Sequence, residues 1–256
     1  MERISNTKPT GLSRNALRTW GILIMAAGII GRSLLQNRIL GMGQLTAQQL
    51  LEAMQDSATM GIATIALILQ ALETCALPIF AFLLVEGFRH TSNFRNYFLR
   101  VAGVAVLSEL PYNYAMSGKL LDFGSRNPAF ALLLGLVMLY FYRRYEEKSL
   151  TNSAIKVVVT VAALLWNGML GIQHGGCLVL IASVLWVFRR KPMLRNMAGA
   201  AAAVVCTMVS PFYMAAPMSF LTIHFHNGEK GEENRLINYL AYPVLLLVIG
   251  VAGMFI

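Results

Sequence analysis

The 256-residue chain is poor in charged residues. Asp, Glu, Lys and Arg make up 13% of it, whereas a soluble domain usually carries about 25%. Hydrophobic residues make up 57% of the chain, and its mean hydropathy is +0.60. One buried core does not account for this apolar excess, so the composition argues against an ordinary soluble domain and predicts that much of the surface faces lipid.

Cysteines are few, and the sequence motifs of common catalytic and metal sites are missing. Cys75, Cys177 and Cys206 lie in apolar stretches without metal-ligand spacing, which predicts small core residues and no disulfide framework. The chain contains no G-x-S-x-G, Walker, zinc or dinucleotide motif. His224 and His226 form an H-x-H pair, but such a pair alone is weak evidence for a metal, and we predict none.

The chain does contain many apolar runs. Crossing the hydrocarbon takes about 20 apolar residues per helix. We therefore predict an all-α fold, a polytopic transmembrane bundle of about eight helices that forms one integral membrane domain over residues 1–256. The predicted spans are 17–35, 62–88, 97–116, 128–142, 155–170, 174–188, 197–213 and 236–256. Segment 1–16 is polar. A cleaved signal peptide is the less favoured interpretation, because many apolar runs follow and no A-x-A site is evident.

The net charge is +9, and the positions of the basic residues along the chain indicate a membrane topology. Its basic residues lie in short clusters between apolar runs, which favours the lipid bilayer as partner and not nucleic acid. With eight spans and a cytoplasmic N-terminus, fifteen of the 21 Lys and Arg residues fall on the cytoplasmic side. The positive-inside rule then predicts a multi-pass protein of the cell (plasma) membrane with both termini in the cytoplasm.

The segment 36–58 between the first two predicted spans is a loop with one periodic stretch. In "LTAQQLLEAMQDS", residues 45–57, the apolar residues Leu45, Leu50, Leu51 and Met54 fall on a helical period. This pattern is typical of a short amphipathic helix on the membrane surface, and a solvated loop helix is the alternative.

Three acids lie inside predicted spans, where an ionisable group usually needs a partner or a function. Glu86 has Arg89 and His90 at i+3 and i+4 on one helix face, which predicts a local ion pair or hydrogen bond. Glu73 lies before Pro78, closer to the outer face, and no partner for it can be read from the sequence.

Glu109 is nine residues past Arg100, about 13–14 Å into the membrane at the helical rise. Pro111 predicts a break in the helix there, which brings a polar cluster to the break. The two interpretations of this cluster are a functional pocket and a structural network. Its members are Ser108, Glu109, Tyr112 and Asn113.

Two polar turns complete the candidate polar pocket. "SRNPAF" places Arg126 and Asn127 at the start of the fourth span, where an anchor is the default interpretation. "GIQHGG" places Gln173 and His174 between two helices, a pattern more typical of a tight turn than of a site. The residues we single out for the pocket are Glu73, Glu86, Glu109, Asn113, Asn127 and His174.

The stretch "PIFAFLLVEGFRHTSNFRNYFLR" followed by "SELPYNYA" resembles the TraX family of polytopic membrane proteins. The similarity continues through "NPAFALLLGLVMLY", 127–140, and "NGEKG…INYLAYP", 227–243. The family is named for a conjugation-associated protein that acetylates the N-terminus of pilin, and it is similar to membrane acyltransferases that use acyl-CoA. The resemblance implies acetyl-CoA as donor and a peptide, glycan or lipid as acceptor, and no other cofactor is indicated.

Several positions depart from the family pattern. The resemblance implies an Asp-His pair where Ala27 and Gly28 stand, and a Gly-Arg pair where Glu73 and Thr74 stand. It also implies a histidine at Leu245. Acyl transfer needs a base to take the acceptor's proton, and Ala27, Gly28 and Leu245 offer none. We therefore expect no acetyl transfer by the family's histidine-dependent route.

Three functions fit these observations. An acyltransferase-like protein would bind acyl-CoA at the candidate basic cytoplasmic face, which comprises Arg89, His90, Arg95 and Arg100. A transporter or permease would line a path with Glu73 and Glu109, near helices broken at Pro78 and Pro111. A non-catalytic membrane scaffold would bind a partner, and the missing catalytic residues favour it over an active enzyme.

Overall fold

The computed structural model describes residues 11–122, 124, 126–232 and 235–256, with the backbone alone at 235 and 236. These residues contain helices and no strand, which confirms the predicted all-α bundle. The helices are α1 (Arg14–Ile30), α2 (Ala47–Ala53), α3 (Ser57–Glu73), α4 (Ala76–His90), α5 (Phe94–Ser117), α6 (Ala129–Arg144), α7 (Leu150–Met169), α8 (Gly175–Val187), α9 (Pro192–Cys206), α10 (Ser219–His224) and α11 (Arg235–Ala252).

Polar capping residues mark where several helices begin. The side chains of Ser13, Asp56 and Asn93 accept hydrogen bonds from the backbone amides of Ala16, Thr59 and Asn96 at 3.2, 2.9 and 3.0 Å. Such caps satisfy amide groups that the first helical turn leaves without partners. Thr46 and Gln49 form a full capping box at the start of α2, so the predicted loop 36–58 does contain a short exposed helix.

Among the described residues, three helices are long and apolar enough to cross a membrane. The first joins α1 to a π-helical segment, Gly31–Ile39, and covers Arg14–Ile39. The second covers α3 and α4, Ser57–His90, and the third is α7. Two shorter apolar helices lie at Gly175–Val187 and Ile237–Ala252.

The two prolines expected to break helices act differently. Pro78 lies in the first turn of α4 and has no amide to donate to the carbonyl of Thr74, so the chain bends at Thr74 and Cys75 between α3 and α4. Pro111 lies inside α5, which continues unbroken from Phe94 to Ser117. The predicted helix break at Pro111 is therefore wrong. Helix α5 packs along α11, where Gly250 lies against Tyr114.

The chain crosses the bundle nine times within the described residues, once more than predicted. After α9, it turns at 207–210 and returns through a 3-10 segment, Pro211–Met218, and α10. This return brings Phe225 to Leu12, whose amide donates to the Phe225 carbonyl at 2.8 Å. The predicted span 197–213 contains the turn, and the return pass escaped prediction because it is short and contains two prolines.

The first and last helices consequently run in the same direction. The amide of Arg14 donates to the Glu229 carbonyl at 2.9 Å, just before α11 begins, and near the other end Gly253 lies against Leu34. We call the end of the bundle that holds Arg14, His90 and loop 225–232 the N-terminal face, and the other end the opposite face. Leu12 and Met254 thus lie at opposite ends of the bundle, whereas the sequence analysis expects both termini on one side of the membrane.

The core centres on α8, whose buried side chains pack between α4, α6, α7 and α9. The structure pairs Cys177 at the start of α8 with Cys206 at the end of α9 as a disulfide, with 5.8 Å between their Cα atoms. The prediction that cysteines form no disulfide is therefore wrong for this pair. Cys75 is free and buried, as expected of a small core residue.

Accessibility labelling of single introduced cysteines tests this topology. In membrane vesicles, we expect cysteines at Ser92 and Glu229 to react with an impermeant maleimide from one side. Cysteines at Lys119 and Met254 should react from the other side, because an odd number of crossings separates the two termini. Labelling of positions 92 and 229 from different sides would contradict the nine-pass arrangement.

Candidate functional site

A cavity of about 190 Å³ lies between α1, α4, α5, α8 and α11, and the end of α3 and the start of α6 complete its wall. Its partly exposed end is near the N-terminal face and is lined by Arg18, Tyr97 and Tyr239. Its other end, deep in the bundle, is lined by Glu73, His174 and Tyr242. The α1 residues that line it, from Arg18 to Met25, span two helical turns, so the cavity is about 10 Å long. Its wall between the two ends is apolar and aromatic, and includes Ile22, Met25, Phe80, Leu83, Leu84 and Leu132.

Glu73 has a partner that the sequence did not reveal. Arg32 Nη2 lies 3.1 Å from Glu73 Oε2, and the two side chains are only 16% and 6% exposed. Glu73 is 17 residues from His90 and 16 from Ser57, so the pair lies near the middle of the α3–α4 pass. Arg32 Nη1 is buried and has no hydrogen-bond partner, which leaves one donor unused beside the cavity.

His174 joins the same cluster from the turn between α7 and α8. Its Nε2 lies 3.4 Å from Arg32 Nη2, and its Nδ1 lies 2.8 Å from the Tyr213 hydroxyl. Arginine can only donate, so we assign the lone pair to Nε2 and the proton to Nδ1, which donates to Tyr213. This neutral tautomer directs the basic nitrogen at Arg32.

His174 also has an unusual backbone. Its φ is 57°, and it is the only non-glycine residue of the described chain with a positive φ. The left-handed region disfavours residues with a Cβ, and such residues occur disproportionately at functional sites. The adjoining turn is closely packed, since a methyl group at Gly175 would overlap the Asn167 side chain. The tight turn predicted for "GIQHGG" is present, and it carries His174 to the cavity.

Gly28 makes room for Glu73. A methyl group at Gly28 would overlap the Cβ, Cγ and Oε2 atoms of Glu73. The family resemblance implies a histidine at position 28 and a glycine at position 73. This chain has a glycine at 28 and a glutamate at 73, so the large and the small residue have exchanged places across the contact between α1 and α3. The carboxylate of Glu73 thus fills space beside position 28, where the family resemblance implies a histidine.

The other positions that depart from the family pattern also lie near the buried end of the cavity. Thr74 donates its hydroxyl to the carbonyls of Ala71 and Phe212, at 2.7 and 3.0 Å. Leu245 packs against the apolar cluster that contains Tyr242. Glu73, Arg32 and His174 are therefore the ionisable groups present where the expected ones are missing.

Glu109 lies in the interior, as predicted, but it belongs to a separate network. Its carboxylate lies 3.2 Å from Arg126 Nη1 and accepts the amide of Asn127 at 3.3 Å. Arg126 in turn pairs through its backbone with the turn that carries His174, donating to Gly171 and accepting from Gln173. Tyr112 donates to the side chain of Gln173. Glu109 and Asn127 thus hold the His174 turn in place without lining the cavity.

Glu86 forms the local contacts predicted from its spacing. Arg89 Nη1 lies 2.7 Å from its Oε1, and His90 Nδ1 lies 3.6 Å from its Oε2. Arg195 from α9 adds a second guanidinium group at 3.7 Å from Glu86 Oε1. This group lies at the N-terminal face, outside the cavity.

The six predicted pocket residues therefore lie in more than one place. Only Glu73 and His174 line the cavity. Asn113 is buried on α5 with its Oδ1 unpartnered, apart from both networks. Of the predicted basic face, Arg95 and Arg100 are exposed at the start of α5, and Arg100 donates to the carbonyl of Asn96.

Neither histidine of the H-x-H pair lies in a metal-ligand group. Over the described ranges, no three His, Cys, Asp or Glu side chains are placed to hold a metal ion. His226 instead fixes the return loop, since its Nδ1 lies 2.8 Å from the Leu12 carbonyl and its ring packs edge-on against Phe82.

Sequence reasoning missed Arg32, Tyr213 and Tyr242. Arg32 carried a usable signal, because it is a cation inside the predicted span 17–35 and Glu73 is an acid inside the next one. Tyr213 carried no such signal, because it follows the turn at 207–210, which the predicted span 197–213 does not recognise.

Comparisons with known proteins identify the family alone. The family model described as "TraX protein" matches residues 62–252, about three quarters of the chain. No curated protein and no solved structure matches the chain. The matched region contains α4, α5, α8 and α11, which supply most of the cavity wall.

Gly28→Ala tests the close contact between α1 and α3. We expect the added methyl to overpack against Glu73 and to lower the free energy of unfolding by about 1–3 kcal/mol. Gly61→Ala is the matched control, because it is also a helical glycine but has no atom within 4 Å of an added Cβ. Thermal unfolding in detergent should show a lower midpoint for Gly28→Ala only, and equal midpoints for the two variants would contradict the contact.

Glu109→Gln tests the network that holds the His174 turn. We expect a loss of about 1–3 kcal/mol, because the charged hydrogen bonds to Arg126 and Asn127 are weakened. The exposed loop residue Glu147 provides the control, and Glu147→Gln should leave the unfolding midpoint unchanged. Equal, negligible effects from the two substitutions would show that Glu109 does not stabilise the turn.

Proposed function

Since the chain belongs to the TraX family, we propose that it is a membrane-embedded acyltransferase that acts through His174, Arg32 and Glu73. The observation that carries the proposal is the cavity, which connects a basic, partly exposed mouth with Glu73 and His174, and Arg32 contacts both of these buried groups. The cluster takes the place of the histidine-dependent site that the family resemblance implies. The family match supports a TraX-like membrane protein, and the chemistry is our inference from the cavity.

The acyl donor enters from the N-terminal face. Arg18 lines the mouth beside Tyr97, and Arg14 and Arg100 lie close enough to act electrostatically on the Tyr97 hydroxyl. These cations suit the phosphates of a coenzyme A thioester. The apolar wall suits the acyl group and the arm that carries it toward the buried end.

His174 is the proposed base. Its Nε2 takes the proton of the acceptor amine or hydroxyl while the acceptor oxygen or nitrogen attacks the thioester carbonyl. Arg32 Nη1, buried and without a partner, donates to the oxyanion that forms. The carbon–sulfur bond then breaks, and the thiolate leaving group receives the proton from His174. The carboxylate of Glu73 balances the positive charge of Arg32 and of the transient imidazolium.

The distribution of cations gives the orientation. Of the nineteen Lys and Arg residues from Arg14 onwards, fifteen lie at or near the N-terminal face. The other four are Arg32, Arg38, Lys119 and Arg126. The nine-pass arrangement moves Lys230 and Arg235 to the basic side and strengthens the positive-inside bias, which supports our proposal that the N-terminal face is cytoplasmic and the C-terminus lies outside. The disulfide between Cys177 and Cys206, toward the opposite face, suits an oxidising compartment there.

The transporter alternative has less support from the site. A path lined by both Glu73 and Glu109 requires the two acids in one cavity, but Glu109 does not line the cavity and is paired with Arg126. A non-catalytic scaffold predicts no turnover and no binding of acyl-CoA.

Labelled acetyl-CoA tests the proposal with membranes that contain the full chain, scored for transfer to peptide, glycan or lipid. We expect His174→Gln and Glu73→Gln to lower the transfer rate by about 10²-fold or more, because general-base help is worth about 10²–10⁴. His90→Gln and Glu147→Gln are the controls, since both residues lie outside the cavity. Transfer that survives both cavity substitutions would overturn the assignment, and absence of both transfer and donor binding would favour the scaffold.

A further inference from the structure

Five arginines gather at the N-terminal face on the side away from the cavity mouth. They lie at the ends of α4, α6 and α8 and at the start of α9, and we call them the arginine cluster: Arg89, Arg143, Arg189, Arg190 and Arg195. None of them lines the cavity.

Aromatic rings hold three of these guanidinium groups in place, and Arg195 Cζ lies 4.8 Å from the centroid of the Phe82 ring. Arg143 Cζ lies 4.3 Å from the centroid of the Phe88 ring, and Arg189 Cζ lies 4.2 Å from the Trp186 ring. The two rings are themselves in contact, with centroids 5.3 Å apart. The stack fixes two cations on neighbouring rings. Arg189 already donates to Trp186 and Glu146, and the edge of the Arg143 guanidinium group stays available as a donor among the described residues.

The cluster carries more positive charge than its partners neutralise. Glu86 pairs with Arg89 and Arg195, and Glu146 pairs with Arg189 and Arg190. No carboxylate of the described residues lies within ion-pair distance of Arg143. Five arginines against two glutamates leave a surplus of three positive charges.

The carbonyl groups at the C-terminal ends of helices compensate only part of this positive charge. Helices α4, α6 and α8 end here, and Arg189 donates to the Trp186 carbonyl at 2.8 Å. Burial lowers the pKa of the Arg189 guanidinium, the nearby Arg190 and Arg89 add to that shift, and Glu146 opposes it. Cations this close together favour a bound anion.

Exposed apolar side chains adjoin the cluster and indicate the source of that anion. Phe141 lies two residues before Arg143, Val187 lies two before Arg189, and Leu194 precedes Arg195; all three are more than a third exposed. Exposed apolar side chains at the same helix ends as fixed cations fit a molecule with an anionic head and acyl chains, not a soluble phosphate.

We propose that the arginine cluster binds the phosphate headgroup of an anionic phospholipid in the cytoplasmic leaflet. Arg143 and Arg190 supply the donors left in excess, and the acyl chains lie against Phe141, Val187 and Leu194. The inference rests on the membrane orientation given under the proposed function and is independent of acyl transfer.

Native mass spectrometry of the full chain in detergent tests the site, with phosphatidylglycerol as probe and phosphatidylcholine as reference. We expect wild-type protein to retain phosphatidylglycerol preferentially. Arg143→Gln/Arg190→Gln should weaken that binding about 25-fold, because each interfacial cation is worth about fivefold. Arg95→Gln/Lys148→Gln removes the same charge from exposed positions on the same face and should have little effect.

The remaining outcomes decide between sources of phosphate. Equal weakening by the two double variants would overturn the proposal in favour of a general charge effect. Coenzyme A binding that depends on Arg143 and Arg190, with phosphatidylglycerol binding unchanged, would also overturn it. Arg190→Gln alone, at a side chain 81% exposed, keeps the test valid if the double variant does not fold. Loss of transfer in His174→Gln with phosphatidylglycerol retained would separate this site from the acyltransferase proposal.

Discussion

The buried ion pair between Arg32 and Glu73 is the constraint on which the centre of the bundle depends. Two charges far from both faces cost several kcal/mol each to desolvate, and removing one partner of such a pair costs about 3–5 kcal/mol. The pair therefore persists only with close geometry. Its 3.1 Å separation requires the first pass, Arg14–Ile39, to approach α3 closely, and two glycines of that pass allow this: Gly28 lies against Glu73, and Gly31 against Ala66 and Leu69.

The pair also organises the chemistry around the cavity. Arg32 Nη2 contacts both the Glu73 carboxylate and the His174 ring. The other terminal nitrogen, Nη1, has no hydrogen-bond partner. His174 can take this place because its turn is held from behind by Arg126 and Gln173, which Glu109 and Tyr112 fix in turn. Two acids with similar sequence settings thus have different roles. Glu73 contacts the cavity, and Glu109 positions the segment that completes it.

Whether a contact could be predicted from the sequence depended on how many residues separate its two partners along the chain. The Glu86 contacts were predictable because Arg89 and His90 lie within one helical turn, and the helices were predictable because apolar runs and caps are local. The pairing of Arg32 with Glu73 joins residues 41 positions apart, and that with His174 joins residues 142 apart. The ninth crossing was missed because a 3-10 segment rises about 2 Å per residue, so Pro211–His224 covers the distance with too few residues to resemble a span.

The return pass through Pro211–His224 determines which face of the bundle holds Lys230 and Arg235. The residues of loop 225–232 bond to Leu12, Arg14 and Asn15, so this loop must lie on the side of the first helix's start. Lys230 and Arg235 then join the face that already holds the arginine cluster and Arg18. One face consequently carries both the cations at the cavity mouth and those over Phe88 and Trp186. A soluble anionic donor and an anionic lipid can be bound on the same side because the two sites use different helix ends. The cavity mouth lies on α1, α5 and α11, at Arg18, Tyr97 and Tyr239, whereas the arginine cluster lies at the ends of α4, α6 and α8 and at the start of α9.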